Sequence, residues 1–370
     1  MTHPLTRRNF VAAASSLALV PAAAAAARRD FRITLLGQAL IQHDLRAIKW
    51  DGLRVFGTHF RKSNACFTDL ETTIIGPNGG APTRPTLIHR ADAAVLDCLS
   101  GMHVNLFATA NNHAFDVGTG GVTDTMAALE ARKLVYAGSG LNIAAASKAG
   151  ILQTPVGTVA LVAMATGAIR DGGAATPTRP GVNEVRQDPS GEMNEDDVGR
   201  VLAAIGGAAR QADIVIAYDH NHYWEANMAD TPAWQKKLAR RCIDAGASIF
   251  VGHGAPVLQG IEIYRGRPIF YDLGNFMFQS PGIEDTYGAE AWRSVIADIV
   301  MSRDGAKTLT LTPIVLNPVG KGGPTDFATK GLPSIATGAD AASTLDHLAA
   351  MSIPFGTRFV VRNGAGHLSL

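Results

Sequence analysis

Cysteine is nearly absent from this chain. Cys66, Cys98 and Cys242 stand far apart among 370 residues, so they make neither a disulfide framework nor a cysteine-based zinc motif. Cys242 follows Leu238 by four residues on a helical apolar face, where a small buried side chain satisfies the pattern. Net charge is nearly absent too: 33 basic and 32 acidic residues leave a formal +1. With no basic stripe interleaved by aromatics, nothing suggests a nucleic-acid partner. No strongly apolar run beyond residue 28 approaches the ~18 residues of a membrane-spanning helix, so no stable transmembrane anchor is expected. What remains is 46% hydrophobic and 18% charged, the composition of a globular chain with a sizeable core.

The N-terminus reads as an address. Thr6-Arg7-Arg8-Asn9-Phe10-Val11 is a twin-arginine pattern ahead of a short apolar run at 11–20, and Pro21 and six alanines follow. The expectation is a twin-arginine signal peptide over 1–28 and a periplasmic mature protein; an unprocessed tail is the alternative. That route carries folded proteins, which suits one that acquires a metal before export.

The rest alternates strands and helices. Strands are predicted at 31–37, 65–68, 104–108, near 135, at 214–218, 248–251, 261–264, 268–271, 295–301 and 309–315. A hairpin is predicted from 151–155 and 158–163, and helices at 91–99, 120–133, 195–210 and 341–351. Residues 38–60 are mixed and partly helical. Another helix is punctuated by Thr231 as cap, Pro232 in first position and Gly246 past its end. The turn-rich segment 76–85 and the long loop 166–191 have no helical or strand periodicity, and loops as long as the second are more often functional than idle.

Polar groups recur where strands end: Glu71, then Asn112 and His113, then His220 and His222, then His253. Strands of one α/β sheet deliver their carboxyl ends to one edge, so these groups are expected to meet. Carboxylate, amide oxygen and imidazole together suit manganese, iron or zinc. Asn111 and Asn112 would also serve simply as turn residues. His43, His59, His89 and His103 lack such a pattern and read as structural or surface residues.

Several of these segments resemble the CapA family of capsule and poly-γ-glutamate biosynthesis proteins, over about residues 31–279. The motifs are Asp69-Leu70-Glu71, where the family has Asn-Leu-Glu, and Ala110-Asn111-Asn112-His113-Ala114-Phe115-Asp116 with Gly118 and Gly121. They continue with Gly246-Ala247-Ser248, Gly252-His253, Val257-Leu258-Gln259-Gly260-Ile261-Glu262 and Tyr271-Asp272-Leu273-Gly274-Asn275-Phe276. The resemblance implies an α/β fold of the calcineurin-like metallophosphoesterase kind, a four-layer αββα sandwich with mixed sheets flanked by helices. It would occupy 30–320, with 321–370 a C-terminal extension packing on the same domain. Glu71, Asn112, His220 and His253 resemble the set that holds one metal. His220 and His222 compete for the strand-end place, and His222 is otherwise free to contact substrate or replace a lost ligand. His113 resembles the phosphate-contacting histidine, a candidate general acid. Asp116 would orient it or cap the next helix. Gln38, Asn111, Gly274 and Asn275 would contact substrate or shape the site, although Gly274 and Asn275 would also serve as a plain turn.

Two departures stand out. The family's Gly-Asp is Gly37-Gln38, and its Gly-His-x-Pro-His is Gly252-His253-Gly254-Ala255-Pro256. Both fall on the same metal, so one divalent ion per chain is expected rather than two. Two functions stay open. One is a metal-dependent hydrolase, cleaving phosphoester or amide bonds in a cell-surface polymer or its precursor. The other is a non-catalytic polymer-binding or assembly factor. Nothing in the sequence indicates an oligomeric state.

Overall fold

The computed structural model describes residues 30–280 and 286–370, together with Met1. The expected signal peptide, 1–28, otherwise lies outside the described residues.

Two mixed sheets stack face to face. Among the described residues the first has nine strands. Its path runs Val360–Arg362, Ala365–Ser369, Gly305–Leu316, Arg293–Ser302, Phe31–Leu35, Ala65–Asp69, Leu106–Ala108 and Val135–Ala137, with Pro333–Ile335 also paired to Gly305–Leu316. The last four strands of that path are mutually parallel. The second sheet runs Ile261–Tyr264, Arg267–Phe270, Ile249–His253, Ile214–Asn221, Gly157–Thr166 and Gly150–Thr154. Its four middle strands are parallel.

The strands read as nearly continuous apolar runs because both faces are covered. In Gly157–Thr166, Val159, Leu161, Ala163 and Ala165 face the other sheet, while Ala160, Val162 and Met164 face the helices Glu195–Ala209 and Ala233–Asp244. In the first sheet, Ile33, Leu35 and Phe67 face inward. Cys66 and Phe107 face outward, against Phe56 and Phe60 of Gly52–Phe60 and Leu96 and Leu99 of Ala94–Gly101. The result is four layers: helices, sheet, sheet, helices. Each such buried Leu, Ile or Phe contributes roughly 1.5–3 kcal/mol. Residues 321–370 add Ala365–Ser369 to the first sheet and the helix Gly338–Ser352, whose Leu345 and Leu348 join the core between the sheets.

Several boundaries differ from the sequence reading. The first strand stops at Leu35, and Gln38–Leu40 forms a separate short strand parallel to Asn275–Phe278. The strands expected at 214–218 and 248–251 continue to Asn221 and His253, because each extends its pairing with a parallel neighbour. Thr231 does not cap the next helix. Pro232 takes the cap position, and the Thr231 hydroxyl donates to Gln259 Oε1 at 3.2 Å.

One close approach sets the edge of the site. Gln38 N donates to Gly274 O at 3.0 Å. A Cβ on Gly37 would sit 2.5 Å from that same oxygen, so only glycine lets the two loops touch here. Gly274 itself has φ +66, the left-handed region where glycine carries no steric cost.

Candidate metal centre and its cavity

The apolar core between the sheets turns polar at the carboxyl ends of the parallel strands. Strand alternation explains how. Phe67 and Tyr218 face inward, so Asp69 and His220, two residues on, face inward as well, and His222 follows on the same side. His220 and His253 are register partners on neighbouring parallel strands.

Four donor atoms come together. His220 Nε2 lies 3.0 Å from Asn112 Oδ1, 3.1 Å from His222 Nε2 and 3.8 Å from Glu71 Oε1. Ligand atoms of Glu71, His220 and His222 all lie within 4.8 Å of one another. Asp69 stands behind this group, its Oδ2 3.2 Å from His220 Nδ1. The Tyr218 hydroxyl is 3.1 Å from the same nitrogen. Burial drives the His220 imidazole down to about 3, so it is neutral here. With its Nδ1 proton on the side of the Tyr218 hydroxyl and Asp69, Nε2 has only a lone pair to offer, yet it faces an amide oxygen and a second imidazole. Converging lone pairs backed by a carboxylate behind the histidine are what a bound cation requires. One carboxylate, one amide and two imidazoles fit manganese, iron or zinc. Glu71 Oε2 is buried with no hydrogen-bond partner, a further sign that this group is built for a cation.

His220 and His222 stand two apart on one side of the strand end, and both reach the cluster. His253 is fully buried beneath it, with Phe67 and Tyr218 against its ring, and neither ring nitrogen has a hydrogen-bond partner. It is not among the grouped atoms of Glu71, His220 and His222. Burial lowers its imidazole to about 3, with Asp69 pulling the other way. Burial raises Asp69 to about 7, against His253 and hydrogen bonds from Asn111 and Tyr218. Asn111 holds the floor: its Nδ2 donates to Asp69 Oδ1 at 3.0 Å and to Leu70 O at 2.8 Å, and its Oδ1 accepts from His113 N at 3.1 Å.

The two departures meet in one place. Gln38 Nε2 donates to Asn275 Oδ1 at 2.8 Å, and Asn275 Nδ2 donates to Pro256 O at 3.2 Å and to Ala291 O at 2.8 Å. Asn275 thus ties the Gln38 and Pro256 loops together with neutral groups. Gln38 Oε1 is left buried without a partner.

A cavity of about 210 Å³ opens beside the cluster, and Glu71, Asn112, His113, His222, Arg84, His89, Trp224 and Tyr287 are among its walls. His113 Nδ1 lies 2.7 Å from Asp116 Oδ2, and its Nε2 lies 3.8 Å from Glu71 Oε1. Asp116 is fully buried and does not cap the helix Gly118–Ala131, whose cap position is Val117. Its carboxylate also accepts from His89 N at 2.6 Å and from Arg170 Nε and Nη2 at 3.0 and 2.6 Å. Burial, then the Arg84 guanidinium, holds the His113 imidazole well below its ordinary range.

The sequence reading missed Asp69, Arg84, His89 and Arg170. His89 was read as structural or surface; it is buried, lines the cavity and stands 4.1 Å from the His113 ring. The two arginines sit in 76–85 and 166–191, where the one available signal was a long loop without periodicity.

An uncharacterized protein of Sinorhizobium fredii is 27% identical over 430 residues, covering 92% of this chain and 93% of that one. The PGA biosynthesis protein CapA of Bacillus subtilis is 32% identical over 217 residues, covering 58% of this chain and 52% of that one. A solved structure titled as an NAD nucleotidase of Haemophilus influenzae is similar at TM-score 0.40 and 13% identity, covering 87% of this chain and 63% of that one. This chain thus spans about three fifths of that nucleotidase. Residues 32–280 match the family model described as bacterial capsule synthesis protein PGA_cap, and that stretch holds both sheets' parallel strands and every donor of the cluster. The chain belongs to the bacterial capsule synthesis protein (PGA_cap) family.

Proposed function

We propose that this protein is an exported, metal-dependent hydrolase-like enzyme acting on a cell-surface polymer, of the poly-γ-glutamate or capsular kind, or on its precursor. The observation that carries the reading is the convergence of Glu71 Oε1, Asn112 Oδ1, His220 Nε2 and His222 Nε2 beside a cavity that also holds His113. A manganese, iron or zinc ion held by these residues would supply Lewis-acid polarisation of a phosphoryl or acyl oxygen, or a more acidic water. The chain's own groups supply orientation and protons. Asp69 and Tyr218 fix the His220 ring. Asp116 holds the His113 proton on Nδ1, leaving the Nε2 lone pair toward Glu71 and the cavity, placed to take the proton of the attacking group and pass it to the leaving group. Arg170 and His89 hold Asp116 in turn.

Elemental analysis of protein purified without chelator tests the reading. About one ion per chain is expected, since Gln38 and Pro256 offer a second ion no anionic or imidazole donor. Two ions per chain would show the second place rebuilt from other donors. The Gln38–Asn275–Pro256 tie favours a second reading, a non-catalytic polymer-binding or assembly factor. No metal after reconstitution with manganese, zinc or iron would leave that reading alone standing.

Export rests on Arg7 and Arg8 ahead of the apolar run. The double variant Arg7→Lys, Arg8→Lys is expected to stay in the cytoplasm on cell fractionation. Undiminished periplasmic protein would remove the twin-arginine assignment. Among the described residues no helix is long and apolar enough to cross a membrane.

A further inference from the structure

Every cation near the cavity has an evident use except one. Arg170 is neutralised by the buried Asp116 carboxylate. Arg84, on the opposite loop, has no carboxylate partner among the described residues. Its Nε donates to Leu87 O at 3.0 Å, and its Nη2 reaches the same carbonyl and lies 3.2 Å from His113 Nδ1. With the His113 Nδ1–H given to Asp116, that nitrogen accepts nothing from Arg84. Burial and the nearby Arg170 guanidinium both work against the Arg84 charge. Five N–H donors in a rigid fork, held at a cavity wall and only partly used, are an oxyanion receptor. His89 adds to this wall. The Gln42 side-chain amide lies 3.3 Å from its Nδ1, and donation there leaves the second ring nitrogen as a neutral N–H donor. Burial and the His113 ring push His89 down to about 2, so it brings no charge of its own.

We propose that Arg84 is a substrate-binding residue, whose guanidinium receives an oxyanion of the substrate across the cavity from the Glu71, Asn112, His220 and His222 cluster. This rests on reading the cavity as the enzyme's site, and it names the substrate class: a molecule carrying an anionic oxygen group beside the bond acted on. A phosphoryl group and the free carboxylate of a γ-linked glutamate chain share that chemistry. Arg84 reads the charge, the cluster on the far wall faces the reacting oxygen, and His113 lies between them.

The test is calorimetric titration of the full chain with two probes, inorganic phosphate and a γ-linked glutamate oligomer. It is run on metal-loaded and on chelator-treated protein, with metal content measured in parallel. Arg84→Gln is expected to weaken binding of at least one probe by tenfold or more, in both metal states, with metal per chain unchanged. Loss confined to phosphate selects the phosphoryl source, and loss confined to the oligomer selects the carboxylate. Arg84→Lys, which keeps charge but loses the fork, is expected to recover part of the affinity. Its melting curve, with that of Arg84→Gln, separates lost binding from a collapsed Leu87 loop. Wild-type affinity for both probes in a folded Arg84→Gln protein overturns the proposal. Arg84-dependent binding in a protein that takes up no metal would sink the metal-enzyme reading and leave this one standing.

Discussion

Glu71→Gln is expected to abolish tight metal binding while leaving the metal-free protein at least as stable as wild type. Glu71 is the one anionic donor in the cluster, and the other three are neutral. A divalent ion leaves water only where its charge is met, so losing the carboxylate should weaken affinity by at least ~100-fold, the upper range seen for lesser, outer-shell changes. Turnover should fall with it. The metal-free arm follows from burial. Without a cation, burial pushes the Glu71 carboxyl well above its ordinary range, and Asp69, Asp116 and Asp272 push it further the same way. A raised folded-state pKa makes ionised Glu71 a cost at neutral pH, relieved only as pH falls. Glutamine keeps the shape and removes that cost. Inductively coupled plasma analysis reads the first arm, and thermal melts after chelation read the second. Retained metal would place the ion elsewhere. A much lower melting temperature in the metal-free variant would make Glu71 a structural residue.

The pattern of strand ends was legible because it follows from elementary geometry. Parallel strands covered on both faces must be apolar along most of their length, so the first charged residue marks the approach to the carboxyl end: Asp69 is the last residue of its strand, and Asp219 stands two before the last of its own. Alternation then decides which residues share a face, and His220 and His222, two apart, share one. The four-layer architecture was implied by the family resemblance, and the structure shows its basis in the same two-faced burial, with Leu161 facing the other sheet and Val162 the helices. Other parts depend on partners far away in sequence. Asp69 matters through His220, and Arg170 through Asp116, and no local periodicity announces either pairing. Arg84 sits in a segment whose glycines and prolines advertise only a turn. Thr231 reads locally as a helix cap, but the chain geometry instead gives its hydroxyl to Gln259. The meeting of Gln38 and Pro256 through Asn275 required the two loops to be placed first, which the Gly37–Gly274 approach does.

His113→Ala is expected to lower turnover by roughly 10²–10⁴-fold, the usual worth of a positioned general acid–base group, with metal content near that of wild type. The argument is positional. His113 Nδ1 is engaged by Asp116 at 2.7 Å, so the ring cannot turn away, and its Nε2 stands 3.8 Å from Glu71 Oε1, beside the donors but outside the set of Glu71, His220 and His222. Removing the ring takes away a proton carrier at the cavity without taking away a ligand. Asp116→Asn separates chemistry from packing. An amide in that place keeps the volume but loses the preference for Nδ1–H, and Arg170 loses its counter-charge. Its turnover should therefore fall less than that of His113→Ala, with the acid limb of the pH–rate profile displaced and the metal retained. Assays with phosphoester and γ-amide substrates, read beside elemental analysis of the same samples, decide the role. Loss of metal in His113→Ala would make His113 a ligand. Unchanged turnover in a folded, metal-replete variant would move the proton source to another group, and His89, 4.1 Å away and open to the same cavity, is the first candidate.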